Sequence, residues 1–494
     1  MGTLSSVKGL RVPTDKNMVK TIHYILLYCL TINIIGCTSD DILVPVQITE
    51  TDNSVTNDST EINTSVNKWI LRTMKLYYYW ADDIPYGVDT LYNISPQDYF
   101  PKLLHNKDRF SWISNTKESN DEKIYGSNTS RGFECVFFYA DSSLENLIAE
   151  VIYTYPCSQA EANGIKRGMY FKEINGTPIN VSNYKQLLNE DNAYYQFLSI
   201  NDNNVIDTLN ISVTQEDIQR TPFLASSIIP YKEHNIGYLC YKQFLNDDGD
   251  DSKQYRDELI NLFSSFRKQQ ISDIVIDLRY NTGGDLNLSV LLGSMLVPKD
   301  DTAKVALEIR YNDKLTNAYS SLGYALTLNF NCDDSCYVGD MINNIVILTG
   351  PNTASASENL INMLLPYKKP IIIGTKTYGK NYGSQVITSP DPNIKWTLQP
   401  ITMKIFNSLG LSDFDNGFIP DYEVDELSYN MKEFGTIDEP LMNKSMEVIS
   451  GKINEAAKAK GIVPDFRKNY RNLRLWKYNI DIKQDDPIRL ERKQ

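Results

Sequence analysis

The sequence predicts a mixed α/β protein in which a helical region and an inserted β-rich domain accompany an α/β core. The first observation is an apolar and aromatic run of helical character that opens residues 66–127. The second is a change to short alternating runs within residues 128–216, a pattern typical of strands. The third is the alternation of strand-like and helix-like segments in residues 217–450, which indicates a sheet covered by helices.

Residues 1–37 have the layout of an N-terminal extension followed by an export signal. From Met18 onward, one lysine precedes an apolar run from Ile22 to Gly36, and Cys37 comes next. The run is shorter than the ~20 apolar residues that span a bilayer, which favours a cleaved signal over a membrane helix. Residues 34–37 resemble the lipobox of bacterial lipoproteins, and this resemblance implies cleavage before Cys37 and lipidation there. An ordinary signal peptide with a chance cysteine is the alternative.

Residues 38–65 are rich in Thr, Asn, Asp and Ser and contain few large apolar side chains. Such a segment cannot bury enough apolar surface to order itself, so we interpret it as a flexible tether. Asp40 and Asp41 resemble the acidic signals that send some lipoproteins to the outer face of the outer membrane. We therefore expect an outer membrane lipoprotein on the periplasmic or cell-surface side, held to the membrane by its lipid anchor.

The overall composition argues against one class of partner and leaves one cysteine question open. A formal net charge of −13 argues against nucleic acid, whose recognition needs a basic surface. The cysteines after Cys37 show no metal-site spacing. Cys332 and Cys336 could form a disulfide in an oxidising compartment, and a pair of thiols is the equal alternative.

The β-rich domain has a recognisable order of elements. A short helix, a glycine turn, a strand and a hairpin turn at Asn175-Gly176 follow one another within residues 128–216. This order resembles a PDZ domain, and the resemblance implies that Gly132 and Phe133 lie in the loop that receives a peptide's terminal carboxylate. PDZ domains bind the peptide as an additional strand. A PDZ-like fold that serves only as a spacer is the alternative.

Four short apolar segments predict strands of the α/β core, at residues 235–239, 271–278, 344–350 and 369–374. Residues 251–270 carry apolar side chains at helical spacing and predict a helix between the first two strands. Catalytic groups in folds of this kind tend to lie on loops that leave the carboxyl ends of the strands. The loops after the last three strands are therefore the places to search.

Ser355 follows the third of these strands and lies close to the start of a predicted helix. Free backbone N–H groups and the positive end of the helix dipole favour negative charge beside a hydroxyl at such a position. Taken alone, a serine here is better explained as a helix cap.

Lys380 follows the fourth strand and a glycine. A lysine acts as a general base only when its amine is neutral near pH 7, which requires desolvation or a nearby like charge. Its place after an apolar strand is compatible with partial burial. Taken alone it would more often be a solvated charge, and Lys376 is a nearby competitor.

Gly283 and Gly284 follow the second strand and allow the backbone to turn and present N–H groups. Such a loop could supply one arm of an oxyanion hole, and the N–H group of Ala356 could supply the other. Removing one oxyanion donor from a serine hydrolase costs roughly 3–4 kcal/mol, so this loop should matter nearly as much as the base.

Three motifs together resemble those of the C-terminal-processing (tail-specific) serine peptidases: DLRYNTGG at 277–284, TASASE at 353–358 and YGK at 378–380. The resemblance implies a crotonase/ClpP-like core with Ser355 as nucleophile and Lys380 as base. These two residues are 25 positions apart, the spacing of that family's Ser–Lys dyad. Ser357 and Lys376 would break this spacing.

Other polar residues receive weaker assignments. Family members often place a glutamine four residues after the lysine, where this chain has Ser384, and Gln385 lies one position further on. We assign Gln385 as the third catalytic residue, with Ser384 as the alternative. Glu358 is predicted to act in the first helical turn rather than in proton transfer. His105 and His234 lie in no motif, which disfavours a Ser–His–Asp triad.

The sequence therefore predicts a serine endopeptidase that hydrolyses protein or peptide substrates presented by their C-termini. This chemistry needs no metal and no cofactor. A catalytically silent surface protein that binds peptide C-termini is one alternative, and a hydrolase of non-peptide esters or amides is another. Residues 451–494 are basic and aromatic from Gly461 onward, and we expect a strand-forming tail packed on the core.

Overall fold

The computed structural model describes residues 59–115, 129–200, 206–218, 221–247, 252–428, 431–451 and 475–479. The export signal, the lipidation site at Cys37 and most of the proposed tether lie outside these residues and stay predictions. No helix within the described ranges is long and apolar enough to cross a membrane.

The elements of the described residues are numbered in chain order. The α-helices are α1 (Ser59–Tyr77), α2 (Pro96–Tyr99), α3 (Gln159–Ala162), α4 (Tyr184–Leu188), α5 (Gln254–Lys268), α6 (Leu286–Leu296), α7 (Asp313–Ser321), α8 (Ala356–Leu364) and α9 (Pro440–Ile449). The strands are β1 (Trp112–Ser114), β2 (Thr129–Ser130), β3 (Phe133–Tyr139), β4 (Leu147–Thr154), β5 (Tyr170–Phe171), β6 (Glu173–Ile174), β7 (Thr177–Pro178), β8 (Asn192–Ile200), β9 (Ile206–Thr214), β10 (Glu216–Asp217), β11 (Phe223–Tyr231), β12 (His234–Tyr241), β13 (Asp273–Asp277), β14 (Val305–Tyr311), β15 (Thr327–Asn329), β16 (Ile345–Thr349), β17 (Ile371–Gly374), β18 (Tyr382–Ser384), β19 (Ile387–Thr388), β20 (Thr397–Gln399), β21 (Ile401–Asn407), β22 (Tyr422–Glu423) and β23 (Leu475–Asn479).

The N-terminal helix α1 begins at Ser59, so the predicted tether is too long by seven residues. Val66, Ile70 and Met74 recur at helical spacing and are buried, which fixes one face of α1 against its neighbours. The sequence signal was hidden because the first turns of α1 carry polar Thr and Asn residues. Ser95 caps α2 by accepting a hydrogen bond from the Asp98 N–H, as its position predicts.

The β-rich insert comprises β2 to β10, close to the predicted range of 128–216. Its main sheet has the order β23-β3-β4-β5-β8-β6-β7, with β9 paired to β8. Asn175 and Gly176 have φ values of 54° and 72°, and this pair of positive angles forms the predicted tight hairpin turn between β6 and β7.

The central sheet of the core has the order β11-β12-β13-β16-β17-β22. All its pairs are parallel except β11 with β12. Helices α5, α6 and α8 pack on one face and α9 on the other, because Ile274 and Ile276 point to one side and Val275 to the other. This arrangement confirms the predicted sheet covered by helices.

Two smaller sheets, β15-β14-β21-β18 and β1-β20-β19, complete the core. The N-terminal region shares a hydrophobic cluster with Tyr382, Leu398 and Ile401 of these sheets. It is therefore packed against the segment that follows the predicted base. Cys332 and Cys336 are not bonded to each other in this structure, and their pairing in an oxidising compartment stays a prediction.

The tail contains one described strand, β23, and its partner differs from the prediction. β23 pairs antiparallel with β3 of the β-rich insert rather than packing on the core. The physical reason is the sheet order, since β4 covers only one edge of β3 and leaves the other to accept a strand.

Candidate active site

Ser355 lies between β16 and α8, at the carboxyl end of a central parallel strand. Its φ of 56° places it in the left-handed region, which a residue other than glycine adopts only under strain. The residue is half-buried, and α8 begins immediately after it. The backbone thus presents this serine at the edge where loops from neighbouring strands meet.

Glu358 links the nucleophile candidate to the base candidate. Its carboxylate accepts hydrogen bonds from the N–H groups of Ser355 (3.1 Å), Gly379 (2.7 Å) and Lys380 (2.7 Å) and from Oγ1 of Thr377 (2.6 Å). Burial raises the pKa of Glu358, and these hydrogen bonds oppose the rise. The side chain thus fastens two loops together from the first turn of α8, in keeping with the predicted helix role.

Lys380 lies in the base loop, which we define as residues 375–381 between β17 and β18. Its side chain is 7% exposed, whereas Lys376 on the same loop is exposed to solvent. No carboxylate in the described ranges forms an ion pair with Lys380, and its Nζ lies 5.5 Å from the centre of the Phe110 ring. Burial without a carboxylate partner is one of the conditions that a lysine base requires.

The N-terminal region braces the base loop through a residue that the sequence analysis missed. Arg109 donates hydrogen bonds to the carbonyls of Gly379 (2.8 Å) and Asp415 (3.1 Å). Oδ1 of Asp108 accepts from the N–H groups of Phe110 and Ser111, which forms the turn that presents this arginine. The turn is readable from the sequence, but no local signal tells where it docks.

The glycine loop, residues 278–285, approaches Ser355 closely. A Cβ atom on Gly283 would lie 2.8 Å from Cβ of Ser355, and Gly283 and Gly284 have φ values of 111° and 128°. The N–H of Gly283 donates to Oδ1 of Asn281 (2.9 Å) and is therefore occupied. In the part of the chain that the structure describes, the N–H groups of Gly284 and Ala356 have no acceptor. Two of the three predicted oxyanion donors are thus free.

Ser357 has a structural role. It is fully buried, and its hydroxyl donates to the carbonyl of Asn281 at 3.0 Å. The amide of Asn281 in turn donates to the carbonyl of Tyr241 at 2.9 Å. These bonds fix α8 to the glycine loop, and they leave Ser355 as the serine of the motif that is available for chemistry.

Both candidates for the third catalytic residue form hydrogen bonds with residues other than Lys380. Ser384 is buried, and its Oγ accepts a hydrogen bond from Nε2 of Gln399 at 2.9 Å. The backbone N–H of Gln385 donates to the carbonyl of Pro400 at 3.4 Å. Within the described ranges neither side chain bonds to Lys380, nor does Ser355. Hydrogen bonds of a general base often tighten only when substrate binds.

Neither described histidine approaches Ser355. His234 bonds Asp273 at 2.7 Å where β12 and β13 begin, at the opposite end of the sheet from the glycine loop. His105 stacks on Trp80 with ring centres 5.0 Å apart. A Ser–His–Asp triad is therefore not assembled from these residues.

Gly132 and Phe133, the predicted carboxylate-binding residues, lie in the β-rich insert at the start of β3. Gly132 has a φ of 79°, and its carbonyl accepts from the N–H of Tyr155 at 2.8 Å. The Phe133 ring is buried among aromatic rings of the insert, including Phe171 and Phe197. Their role in peptide binding stays a prediction.

Comparison with known protein families gives two matches, and both include residues described above. The model of "Peptidase family S41" matches residues 235–424, which contain the glycine loop, Ser355 and Lys380. The model of "Peptidase S41 N-terminal domain" matches residues 65–112, which contain Arg109 and Phe110. This chain matches peptidase family S41 over both of these regions. It is a serine-type peptidase, a hydrolase with a mixed α/β fold.

Three individual proteins that this peptidase resembles cover between 49% and 82% of its length. A Staphylococcus aureus (strain MRSA252) protein named as a CtpA-like serine protease is 24% identical over 383 residues, 73% of this chain and 70% of the relative. A Picosynechococcus sp. (strain ATCC 27264 / PCC 7002 / PR-6) protein named "Carboxyl-terminal-processing protease" is 24% identical and covers 49% of this chain and 53% of its own. The solved structure of a Bacteroides fragilis NCTC 9343 protein, named as an S41 protease, superimposes with a TM-score of 0.67 and 26% identity. That match covers 82% of this chain and 99% of the other.

Proposed function

We propose that this S41 peptidase is an endopeptidase with a Ser355–Lys380 dyad. The observation that carries the proposal is Glu358, whose carboxylate holds the Ser355 and Lys380 backbones from one point. Lys380 is buried beside this anchor without a carboxylate partner among the described residues. Burial and the absence of a described carboxylate partner support Lys380 as the general base of the pair.

The proposed reaction begins when Lys380 takes the proton of the Ser355 hydroxyl as its oxygen attacks a peptide carbonyl. The N–H groups of Gly284 and Ala356 stabilise the oxyanion of the tetrahedral intermediate. The C–N bond then breaks, and Lys380 gives its proton to the leaving amine. Water deprotonated by Lys380 hydrolyses the acyl-enzyme, which restores Ser355. Gln385 is proposed to orient the amine of Lys380.

The finer features follow from the same interpretation. We propose that the core is crotonase/ClpP-like and that the β-rich insert is a PDZ-like domain receiving the C-terminal carboxylate of a substrate near Gly132 and Phe133. The name of the cyanobacterial relative, a carboxyl-terminal-processing protease, supports substrates presented by their C-termini. Lipidation at Cys37 and an outer membrane location remain part of the proposal on sequence grounds.

The test is proteolysis of an unstructured reporter protein, made with several C-terminal sequences, by the full chain. Ser355→Ala and Lys380→Ala should lose at least about a hundredfold in kcat/KM. The matched controls Ser357→Ala and Lys376→Ala should retain cleavage, since one side chain is a structural donor and the other is exposed. Sensitivity to the last residues of the reporter would support recognition of C-termini.

Two results would overturn the proposal. Equal cleavage by wild type and Ser355→Ala would show that Ser355 is not the nucleophile. If wild type and Ser355→Ala bound the reporter tails equally well and neither cleaved peptides, small esters or amides, the protein would be a catalytically silent binding protein. Cleavage of small esters without peptides would point instead to the non-peptide hydrolase.

A further inference from the structure

The edge of β3 that pairs with the tail strand has no part in the proposed catalytic mechanism. In the sheet order of the insert, β3 lies between β4 and the tail strand β23. β23 is far from β3 in sequence, and without it β3 would be an edge strand. An edge strand presents unpaired N–H and C=O groups that an extended peptide can use.

The direction of β23 matches that of a peptide whose C-terminal end approaches the Gly132 loop. The pairs run from Leu475 with Phe138 to Asn479 with Cys135, so the strand advances toward the start of β3. Because the pairing is antiparallel, the C-terminal end of β23 is the end nearest to Gly132. A substrate tail that bound there with its carboxylate in the loop would use the same backbone groups in the same direction.

The pairing between β23 and β3 is also irregular. The register shifts between Leu475 and Lys477, so one residue of the tail lies outside the regular ladder. A bulge of this kind disrupts local pairing and weakens it relative to a regular ladder. The pairing is therefore suited to exchange with another extended strand.

The edge is close to the junction between the insert and the core. Side chains of β3 alternate between the interior of the insert and a second cluster that contains Val136 and Phe138. That second cluster includes Tyr280, which belongs to the glycine loop. The strand that accepts β23 thus packs, on one face, in the same cluster as a residue of the glycine loop.

We propose that residues 475–479 are an intramolecular ligand of the β3 edge, which an extended C-terminal segment of a substrate must displace. A tethered strand competes at an effective concentration in the millimolar range. An external peptide can bind only those molecules in which the β3 edge is free, so its apparent Kd equals the intrinsic Kd divided by that free fraction. The consequence for substrates rests on the proposed function, whereas the occupancy of the edge does not.

The first test compares two double variants of the full chain in a Ser355→Ala background. Lys477→Pro with Tyr478→Pro removes two consecutive N–H groups, one of which must face β3 because successive groups alternate along a strand. Lys477→Ala with Tyr478→Ala is the matched control that keeps both donors. The probe is a fluorescent peptide with the sequence of residues 471–481. We expect the proline variant to bind it about tenfold more tightly than the alanine control.

The second test uses hydrogen exchange on the Ser355→Ala chain with an unaltered tail, and it does not depend on how the proline variant folds. A saturating amount of the peptide should increase exchange at residues 475–479 while residues 133–139 stay protected. Equal affinities of the two double variants, or bound peptide with unchanged exchange at residues 475–479, would show a permanent structural strand and overturn the inference. If the proline variant does not fold, the exchange result alone decides.

Failure of this inference and failure of the peptidase proposal are distinguishable. The binding and exchange measurements include no cleavage step, so a negative result leaves cleavage by the Ser355 peptidase standing. Loss of Ser355-dependent cleavage would leave the measured strand exchange intact.

Discussion

At the scale of single residues, Glu358 has the strongest claim to a positioning role. It touches neither substrate nor the reacting atoms, yet its carboxylate holds the backbones on both sides of the proposed dyad. Four donors surround it, and a neutral amide can satisfy fewer of them than a carboxylate.

Replacing Glu358 by Gln should therefore reduce kcat more than it changes KM. The amide group would face N–H donors and displace the base loop, with a loss of roughly 1–3 kcal/mol in the free energy of unfolding. Steady-state kinetics and urea unfolding measure the two effects, with the partly exposed Glu447→Gln as control. A variant with normal kcat would show that Glu358 does not position the dyad.

Gly283 gives a second prediction at this scale. Gly283→Ala would place Cβ 2.8 Å from that of Ser355 at a φ of 111°, a conformation strained for alanine. We expect loss of most activity and a destabilisation of roughly 1–3 kcal/mol. Gly323→Ala is the matched control, since its φ is also positive but its Cβ would have no neighbour within 4 Å. Equal activities of the two variants would contradict the close approach.

At the scale of elements, parallel strands explain why motifs far apart in sequence converge. β13, β16 and β17 pair in parallel, so the glycine loop, Ser355 and the base loop leave the same edge of the sheet. The sequence predicted this convergence because buried strands and the residues after them are local signals. It did not predict the brace from Arg109, because the docking of one region on another is a property of tertiary packing.

Arg109→Ala should loosen the base loop and lower kcat about tenfold, since Arg109 ties Gly379 of that loop to Asp415 outside it. Both bonds come from Nη2 of Arg109, and an ammonium can also donate two hydrogen bonds, so Arg109→Lys should recover part of the lost kcat. Exposed Arg72→Ala is the control. Kinetics that match wild type in Arg109→Ala would contradict the bracing role.

At the scale of the whole molecule, a buried charge network joins the insert, the central sheet and the segment before α9. Arg279 bonds Asp277, Glu426 and Glu439, and Arg167 of the insert bonds Glu426 at 2.6 Å. Burial would raise the pKa of Glu426, but the two guanidinium groups lower it to about 2. Tyr280 of the glycine loop also donates to this carboxylate.

This network predicts a dependence of stability on pH. Because the folded pKa of Glu426 lies below its ordinary value of 4.5, its stabilisation is present above pH 4.5 and is lost as the pH falls toward 2. Glu426→Gln should reduce the slope of the unfolding free energy against pH by one proton, about 1.4 kcal/mol per pH unit, between pH 4.5 and 2. Near neutral pH the same variant should lose roughly 3–5 kcal/mol of unfolding free energy, because it leaves the two buried guanidinium groups without this carboxylate. Urea unfolding at several pH values measures both. An unchanged slope would show that Glu426 is not held ionised.

The local sequence patterns predicted the sheet of the core and the helices that cover it. The domain boundaries and the Ser355–Lys380 dyad, which also rest on local motifs, stay predictions. The same patterns placed the start of α1 too late and gave the tail the wrong partner. Polar first turns conceal a helix, and a strand contains no information about which distant edge will accept it. The charge network was equally hidden, since Arg167 and Glu426 meet only after folding.

The proposed peptidase activity requires that Ser355 is a nucleophile and that Lys380 activates it. The most direct measurement is mass spectrometry of the full chain after reaction with a β-lactone, which acylates an activated hydroxyl. We predict one adduct, mapped to Ser355, formed by wild type and Ser357→Ala and lost in Ser355→Ala and Lys380→Ala. An adduct on Ser357, or equal labelling at Ser355 without Lys380, would contradict the account.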